Sequence, residues 1–132
     1  MTIDVEQYRS HLERLLGNLG EGEWTLMTVP SVEKWAQSVG RPLRRVFVPA
    51  LAARASDGRR LVVVRRLLTD EIQSNVRYGF VMRGQDEEDL QDPMRFLEHL
   101  ILHEVAHHVL DTEDEAPCDG WAFARLPPRT IS

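Results

Sequence analysis

The sequence predicts a small α+β protein in which an N-terminal helix and a short mixed sheet of three or four strands pack on two C-terminal helices. Three patterns support this class. Apolar residues recur at spacings of three and four near the N terminus, β-branched residues concentrate in the middle of the chain, and the helical spacing returns in the last third. A length of 132 residues suits one domain, so we expect a single domain over residues 1–132.

The predicted elements alternate along the chain before the two final helices, in the order αβαβββαα. The expected helices are residues 4–19, the segment from Ser31 to the residue before Gly40, about 93–110 and about 115–126. The expected strands are residues 24–29, 44–49, 61–68 and 77–84. The run LVVVRRLL at 61–68 is apolar enough for a central strand, whereas RYGFVMRG at 77–84 is typical of an edge strand.

The composition argues against several classes of function. The net charge of −5 gives no electrostatic reason to expect direct nucleic-acid binding. Cys118 is the only cysteine, so no intrachain disulfide can form. The first residues lack the basic and apolar regions of a secretory signal, and no apolar run approaches the roughly 18–20 residues that span a bilayer. We expect a cytoplasmic protein without membrane association.

The segment HEVAHHVL, residues 103–110, lies in the predicted helix at 93–110. Asp92 is a suitable N-cap for that helix and Pro93 a suitable first residue. The helix is apolar almost all round, and a helix of this kind is buried. Its histidines are therefore expected to face hydrogen-bond partners, a cleft or a metal ion rather than open solvent.

The spacing HExxH within this segment predicts a zinc site. His103 and His107 are one helical turn apart, so both imidazoles can bind one tetrahedral Zn²⁺ at roughly 2.0 Å. Glu104, next to them, can take a proton from a water whose pKa the zinc has lowered to about 7, and can later give it to the leaving amine. The motif thus favours a zinc-dependent peptidase with Glu104 as the catalytic residue.

A helix without metal, with hydrogen-bonded core histidines, is the competing interpretation of the same stripe. His99 and His108 flank the motif, and we do not expect either to be a ligand, because proximity to a motif does not make a residue a ligand.

Two histidines do not complete a hydrolytic zinc site, which normally has three protein ligands and a water. The pattern HExxHxxGxxH is absent, because Leu110 and Glu113 occupy the positions of its glycine and third histidine. A carboxylate from the following residues fits better. The candidates are Asp111, Glu113, Asp114, Glu115 and Asp119.

HEVAHHVL followed by EAPCDGWAFARL, residues 115–126, resembles the ImmA/IrrE family of zinc metallopeptidases and, more distantly, the thermolysin-like gluzincins. The resemblance covers residues 93–126 and implies a small zincin-like domain. It implies Glu115 as the third zinc ligand, and Asp119 as the acceptor that orients a ligating histidine. Asp119 is also the alternative third ligand.

The same resemblance implies how substrate is held. In gluzincins an edge strand ahead of the active-site helix pairs with the substrate backbone, and residues 77–84 occupy that place. Members of the ImmA/IrrE family often act on DNA-binding repressors. This chain has no room for such a domain, so a repressor substrate is expected to be a separate regulatory protein.

Two further side chains carry weaker hypotheses. Tyr78 is the nearest upstream hydroxyl that could stabilise the oxyanion of amide hydrolysis. Cys118 is either an inhibitory fourth zinc ligand or a small buried residue. Trp121, Phe123 and Leu126 are expected in the core.

The function predicted from the sequence is a zinc-dependent endopeptidase that uses a zinc-activated water on a protein or peptide substrate. The alternative is a catalytically silent or latent domain that serves as an interaction module. The tail PPRTIS, residues 127–132, could lie across the cleft in that case. An exposed sheet edge permits self-pairing, so we expect a monomer or a weak dimer.

Overall fold

The computed structural model describes residues 1–84 and 90–127, and it has the predicted α+β composition. Strands β1 to β5 are Ile3–Asp4, Trp24–Val29, Ala50–Arg54, Arg60–Arg65 and Leu67–Leu68. Helices α1 to α5 are Arg9–Gly17, Val32–Ser38, Asp70–Met82, Pro93–Val109 and Glu115–Ala124. A 3-10 turn, Val5–Tyr8, leads into α1. In the described ranges, no helix is both long enough and apolar enough to cross a membrane.

The main sheet is mixed and has β4 at its centre, as predicted. Its order is β2-β4-β3, with β2 parallel and β3 antiparallel to β4. Leu61 to Val64 are at most 2% exposed, because the two hydrophobic clusters of the protein lie on opposite faces of this strand. A strand covered on both faces needs an unbroken apolar run, and LVVV supplies it.

The apolar run predicted as one strand at 61–68 is divided between two sheets. β4 ends at Arg65, and after Arg66 the short β5 pairs antiparallel with β1. This second sheet joins the N terminus to the middle of the chain. The periodic residues Val5, Leu12 and Leu16 are buried against it and the main sheet, as the helical spacing indicated.

The strand predicted at 44–49 is wrong, and the structure places β3 at Ala50–Arg54. Residues 44–47 are exposed, and Phe47 has a φ of 55°, in the left-handed region that a strand does not use. The alanine-rich segment that follows has low strand propensity. It is a strand because it pairs with the apolar β4, so the tertiary partner decides the assignment.

The edge strand predicted at 77–84 is also wrong, because residues 77–82 continue helix α3 and residues 83–84 form the turn after it. Thr69 caps this helix by accepting a hydrogen bond from the Ile72 N–H, and Asp70 and Glu71 favour its first turn. Ile72 and Phe80 lie on the buried face. The aromatic and β-branched residues near Phe80 favoured a strand locally, and packing against α4 overrides that preference.

Helix α4 is the central element and is buried on nearly all sides, as predicted. Asp92 caps it by accepting from the Arg95 N–H at 3.1 Å, and Pro93 occupies its first turn. Its buried residues are Phe96, Leu97, Glu98, His99, Leu100, Ile101, Leu102, His103, Val105 and Ala106. Helices α1 and α5 and strands β3 and β4 pack against it. Trp121, Phe123 and Leu126 belong to this core.

Replacing Asp92 by alanine should destabilise the protein by about 1 kcal/mol, because the first turn of α4 loses its side-chain acceptor. Asp92→Asn keeps an acceptor oxygen and should lose only a small part of that amount. Urea unfolding of the three proteins measures the difference. Equal destabilisation by both substitutions would show that the capping bond is not the cause.

Candidate metal centre

His103 and His107 present their Nε2 atoms to the same point, one helical turn apart on α4. The two Nε2 atoms are 3.1 Å apart, and the ring centroids are 4.8 Å apart. His103 is buried, and His107 is partly exposed at the cavity described below. Two neutral imidazoles cannot both keep lone pairs on this point without repulsion, so a shared proton or cation is required between them.

The hydrogen bond of His107 determines which nitrogen is free. Its Nδ1 is 2.8 Å from the backbone oxygen of Thr112. A carbonyl oxygen can only accept, so Nδ1 carries the hydrogen and the lone pair of the neutral ring is on Nε2.

His103 contacts a carboxylate through its Nδ1, at ion-pair distance but outside regular hydrogen-bond geometry. Its Nδ1 is 2.7 Å from Oδ1 of Asp119, which is fully buried on α5. Arg83, just after α3, forms an ion pair with Asp119. Burial acts to raise the pKa of Asp119, but the contacts with His103 and Arg83 outweigh it and lower that pKa. Asp119 therefore lies beside His103, and its role as the acceptor that orients this histidine stays a prediction.

Glu115 brings a carboxylate to the two Nε2 atoms from the start of α5. Its Oε2 is 2.6 Å from His103 Nε2, and its Oε1 is 3.4 Å from His107 Nε2. One ligand atom from each of the three residues lies within 4.8 Å of the others. The structure thus brings together the three predicted ligands, while metal binding itself stays a prediction.

The turn after α4 explains how Glu115 reaches the cluster only eight residues after His107. Asp111 has a φ of 49°, and two backbone bonds close the helix end, from Thr112 N–H to His107 O and from Asp111 N–H to His108 O. This is the Schellman arrangement, with an aspartate where glycine is usual. It reverses the chain and also delivers the Thr112 carbonyl to His107.

Pro117 does not disturb the start of α5. The helix begins at Glu115 with Asp114 as N-cap, so the proline is the third helical residue. The N–H groups of the first turn have no intrahelical partner, and nothing is lost there. Thr112 is not the N-cap, since its hydroxyl accepts from the Asp114 N–H in the turn.

The donor set fits a tetrahedral dication. Ligand atoms at 2.0–2.1 Å around zinc are about 3.3 Å from each other. The distance of 3.1 Å between the two Nε2 atoms and that of 3.4 Å from His107 Nε2 to Glu115 Oε1 are close to this value, whereas Glu115 Oε2 is only 2.6 Å from His103 Nε2. The charges fit as well. Glu104 and Glu115 are close to each other, and among the described residues neither forms an ion pair with an arginine, whereas Asp119 is paired with Arg83. A dication at the cluster compensates the remainder.

Glu104 lies beside the cluster at the wall of a cavity of about 950 Å³. The residues that line this cavity from α4 and the following turn are Leu100, His103, Glu104, His107, Glu113 and Glu115. Burial raises the pKa of Glu104 to about 7, although the positive charges of His103 and His107 oppose the shift. A carboxyl group with a pKa near neutrality suits proton transfer in both directions.

The protonation of the cluster side chains reflects their contacts. Burial alone would lower the pKa of His103, but contacts with Asp119 and Glu115 raise it to about 9. Hydrogen bonds with the same histidines hold the pKa of Glu115 well below its usual range. The contact with Glu115 also raises the pKa of His107.

The structure does not bring Tyr78 to the site. The predicted edge strand is helical, and Tyr78 lies on the outer face of α3, 67% exposed and outside the cavity lining. Its expected role as oxyanion stabiliser has no geometric support here.

Cys118, His99 and His108 also lie outside the cluster, as far as the described ranges show. Cys118 Sγ is 3.4 Å from Nδ1 of His107, the nitrogen that faces away from the cluster, and burial raises the pKa of the thiol to about 11. His99 is buried between Phe80 and Phe123, where burial lowers its pKa to about 4, and His108 is exposed against Trp24.

Sequence reasoning missed Arg83, Thr112 and the cavity wall formed by residues 43–51. Arg83 belongs to a segment predicted as a strand, so its approach to α5 was hidden. The contribution of Thr112 is a backbone oxygen, for which side-chain identity gives no signal. The wall at 43–51 depends on β3 pairing, which only the tertiary structure supplies.

Comparison with known proteins does not identify a family. No protein-family model, curated protein or solved structure matches this chain.

The metal-free protein should lose stability as the pH rises from 6.5 to about 9, because the fold raises the pKa of His103. Protonated His103 stabilises the folded protein fully below the ordinary histidine pKa of 6.5, and this stabilisation is lost as the ring loses its proton. Because the fold lowers the pKa of Glu115, its stabilising contribution to the folded protein is fully present above pH 4.5 and does not change over this range. The stabilisation that bound zinc gives should instead grow with pH, because zinc displaces protons from the same nitrogens. Thermal unfolding at about pH 5.5 and about pH 8.5, with and without one equivalent of zinc, tests both trends. A zinc-induced rise in Tm that does not grow with pH would contradict them.

Asp119→Asn and Glu115→Ala should weaken zinc binding to different extents. Loss of the carboxylate behind His103 should reduce affinity about 10–100-fold while one zinc still binds. Glu115→Ala removes a donor atom and should abolish stoichiometric binding after dialysis. Elemental analysis and competition with a chromogenic chelator measure stoichiometry and affinity. Asp114→Ala, at the exposed N-cap next to Glu115, is the matched control, and loss of zinc in that variant would point to a folding defect.

Proposed function

We propose that this protein is a zinc-dependent endopeptidase with His103, His107 and Glu115 as metal ligands and Glu104 as catalytic base. The observation that supports it best is the convergence of two Nε2 atoms and one carboxylate beside Glu104, at the wall of a large cavity. Two imidazoles and a carboxylate with an open fourth position are the ligand set of hydrolytic zinc enzymes. The same donors can also hold Fe(II), and the adjacent carboxyl group of Glu104 favours hydrolysis over that use.

The zinc ion would supply Lewis acidity, by polarising the peptide carbonyl and lowering the pKa of a water. The protein supplies the other parts. Glu104 accepts the proton of the attacking water and returns it to the leaving nitrogen. Asp119 and the Thr112 carbonyl keep both Nε2 lone pairs on the metal position. Arg83 keeps the buried Asp119 ionised for that task.

The cavity offers room for an extended peptide. Its walls come from residues 43–51 on one side and, on another, from α3 and from Arg83 just after it. With residues 77–82 helical, the backbone available to a substrate is instead that of residues 43–49 and of the edge strand β3 that follows them. Pairing with extended backbone binds peptides with little demand on their sequence.

The resemblance of residues 93–126 to ImmA/IrrE peptidases supports the same proposal. It suggests a separate regulatory protein as substrate, by analogy with members that act on repressors. The zincin-like fold and a cytoplasmic location belong to this proposal too.

A metal-loaded but catalytically silent module is the second candidate. The observation in its favour is that Glu115 already bonds to both histidines, so the cluster is internally satisfied without substrate. The tail expected to cover the cleft lies, from residue 128 onward, outside the described residues.

Glu104→Gln should lower the rate of peptide hydrolysis by about 10²–10⁴-fold while zinc content stays near one per chain, because the base is lost and the ligands are kept. Hydrolysis of an unfolded protein or a peptide library, followed by mass spectrometry, provides the readout. Chelation should abolish the activity and added zinc should restore it.

His108→Gln is the matched control, because His108 is an exposed neighbour on the same helix outside the cavity. Zinc bound by a wild type that cleaves nothing would favour the silent module. Absence of zinc after reconstitution would exclude both metal-dependent candidates.

A further inference from the structure

The geometry points to a carboxylate-binding site made by Arg44 and Arg45, which selects peptides with a carboxylate close to the scissile bond. The carboxylate is either an acidic side chain or a free C terminus. This inference rests on the proposed peptidase function and specifies its substrate class.

Arg44 and Arg45 line the same cavity as His103, His107 and Glu104. Glu104 is the group that would move the proton, so a peptide carboxylate bound by these arginines lies in the same cavity as the scissile bond.

Both guanidinium groups are unpaired among the described residues. They are exposed, and within residues 1–84 and 90–127 neither forms an ion pair or hydrogen bond. The third arginine of the cavity, Arg83, is already paired with Asp119. Arginine presents two parallel N–H groups that match a carboxylate, so a free pair of arginines favours this ligand.

The segment that carries the two arginines is irregular but anchored at both ends. On one side, the Arg41 N–H donates to Ala36 O at 2.8 Å. On the other, Glu33 accepts from the Val48 N–H at 3.2 Å, and the Arg65 guanidinium lies 5.7 Å from the Phe47 ring centroid. The left-handed φ of Phe47 is kept by these contacts. Such anchoring reduces the ordering cost of binding.

The charged side chains around the cavity also favour one orientation of a bound peptide. The chain has a net charge of −5 and repels acidic peptides in general, so a positive wall in one cavity acts as a local exception. Glu113 lines another part of the same cavity. An acidic residue is therefore favoured beside residues 44–45 and disfavoured beside the turn after α4.

The test is peptide binding to the protein of residues 1–132 after removal of metal, since a peptide carboxylate could otherwise bind the metal directly. Calorimetry needs no charged label. Acetylated and amidated neutral peptides carry one Glu at successive positions, with Gln at the same position as the isostere. A parallel pair of all-neutral peptides differs only in a free or amidated C terminus.

At low salt, the peptide with a carboxylate at the favoured position should bind at least about tenfold more tightly than its neutral isostere. The preference should shrink as salt is added. Preference for an internal Glu identifies a side-chain carboxylate, and preference for the free C terminus identifies the terminal one. No preference in either pair overturns the inference.

The double variant R44Q/R45Q should lose the preference, whereas Arg41→Gln should keep it. Arg41 is exposed on the same segment but outside the cavity lining, and its anchoring contact is made by the backbone. A preference that survives R44Q/R45Q, with unchanged circular dichroism, overturns the inference. Hydrolysis assays on the same peptides separate the two claims. Cleavage without carboxylate preference refutes only the inference, and arginine-dependent binding without cleavage refutes only the peptidase.

Discussion

The burial of α4 is the constraint on which the rest of the structure depends. A helix covered on nearly all sides cannot give its polar side chains to water, so most of them pair inside the protein. His99 is the exception, because neither of its ring nitrogens has a hydrogen-bond partner among the described residues. His103 finds Asp119 and Glu115 on α5, and Asp119 in turn requires Arg83 from the end of α3. The packing of three helices and the geometry of the candidate site are therefore one arrangement.

The polar contacts around His103 alternate in charge from Arg83 through Asp119 and the imidazole to Glu115. The Nδ1 of each histidine faces an oxygen, that of Asp119 for His103 and that of the Thr112 carbonyl for His107, so that Nε2 remains for a cation. This is the second layer of contacts that metal sites need for precise geometry. The absence of matching families or structures leaves this geometry as the basis of the functional proposal.

The local sequence predicted those elements for which capping residues, propensity and apolar spacing all indicate the same structure. Asp92 and Pro93 start α4, and the apolar run at 61–64 is the central strand. The two wrong strands fail for the same reason. At 44–49 and 77–84 the residue types favour a strand, but a strand also needs ladder pairing, and neither range forms a strand of either sheet.

The sequence by itself determined the spacing of His103, Glu104 and His107, since a helix converts that spacing into one face. It also determined that α4 is buried. Only the tertiary structure decided which acid meets the histidines, because the left-handed turn at Asp111 sets the direction in which α5 returns. The tertiary structure also decided that Arg44 and Arg45 line the cavity, because their position depends on how β3 pairs with β4. The residues of these two segments do not by themselves indicate that they pair.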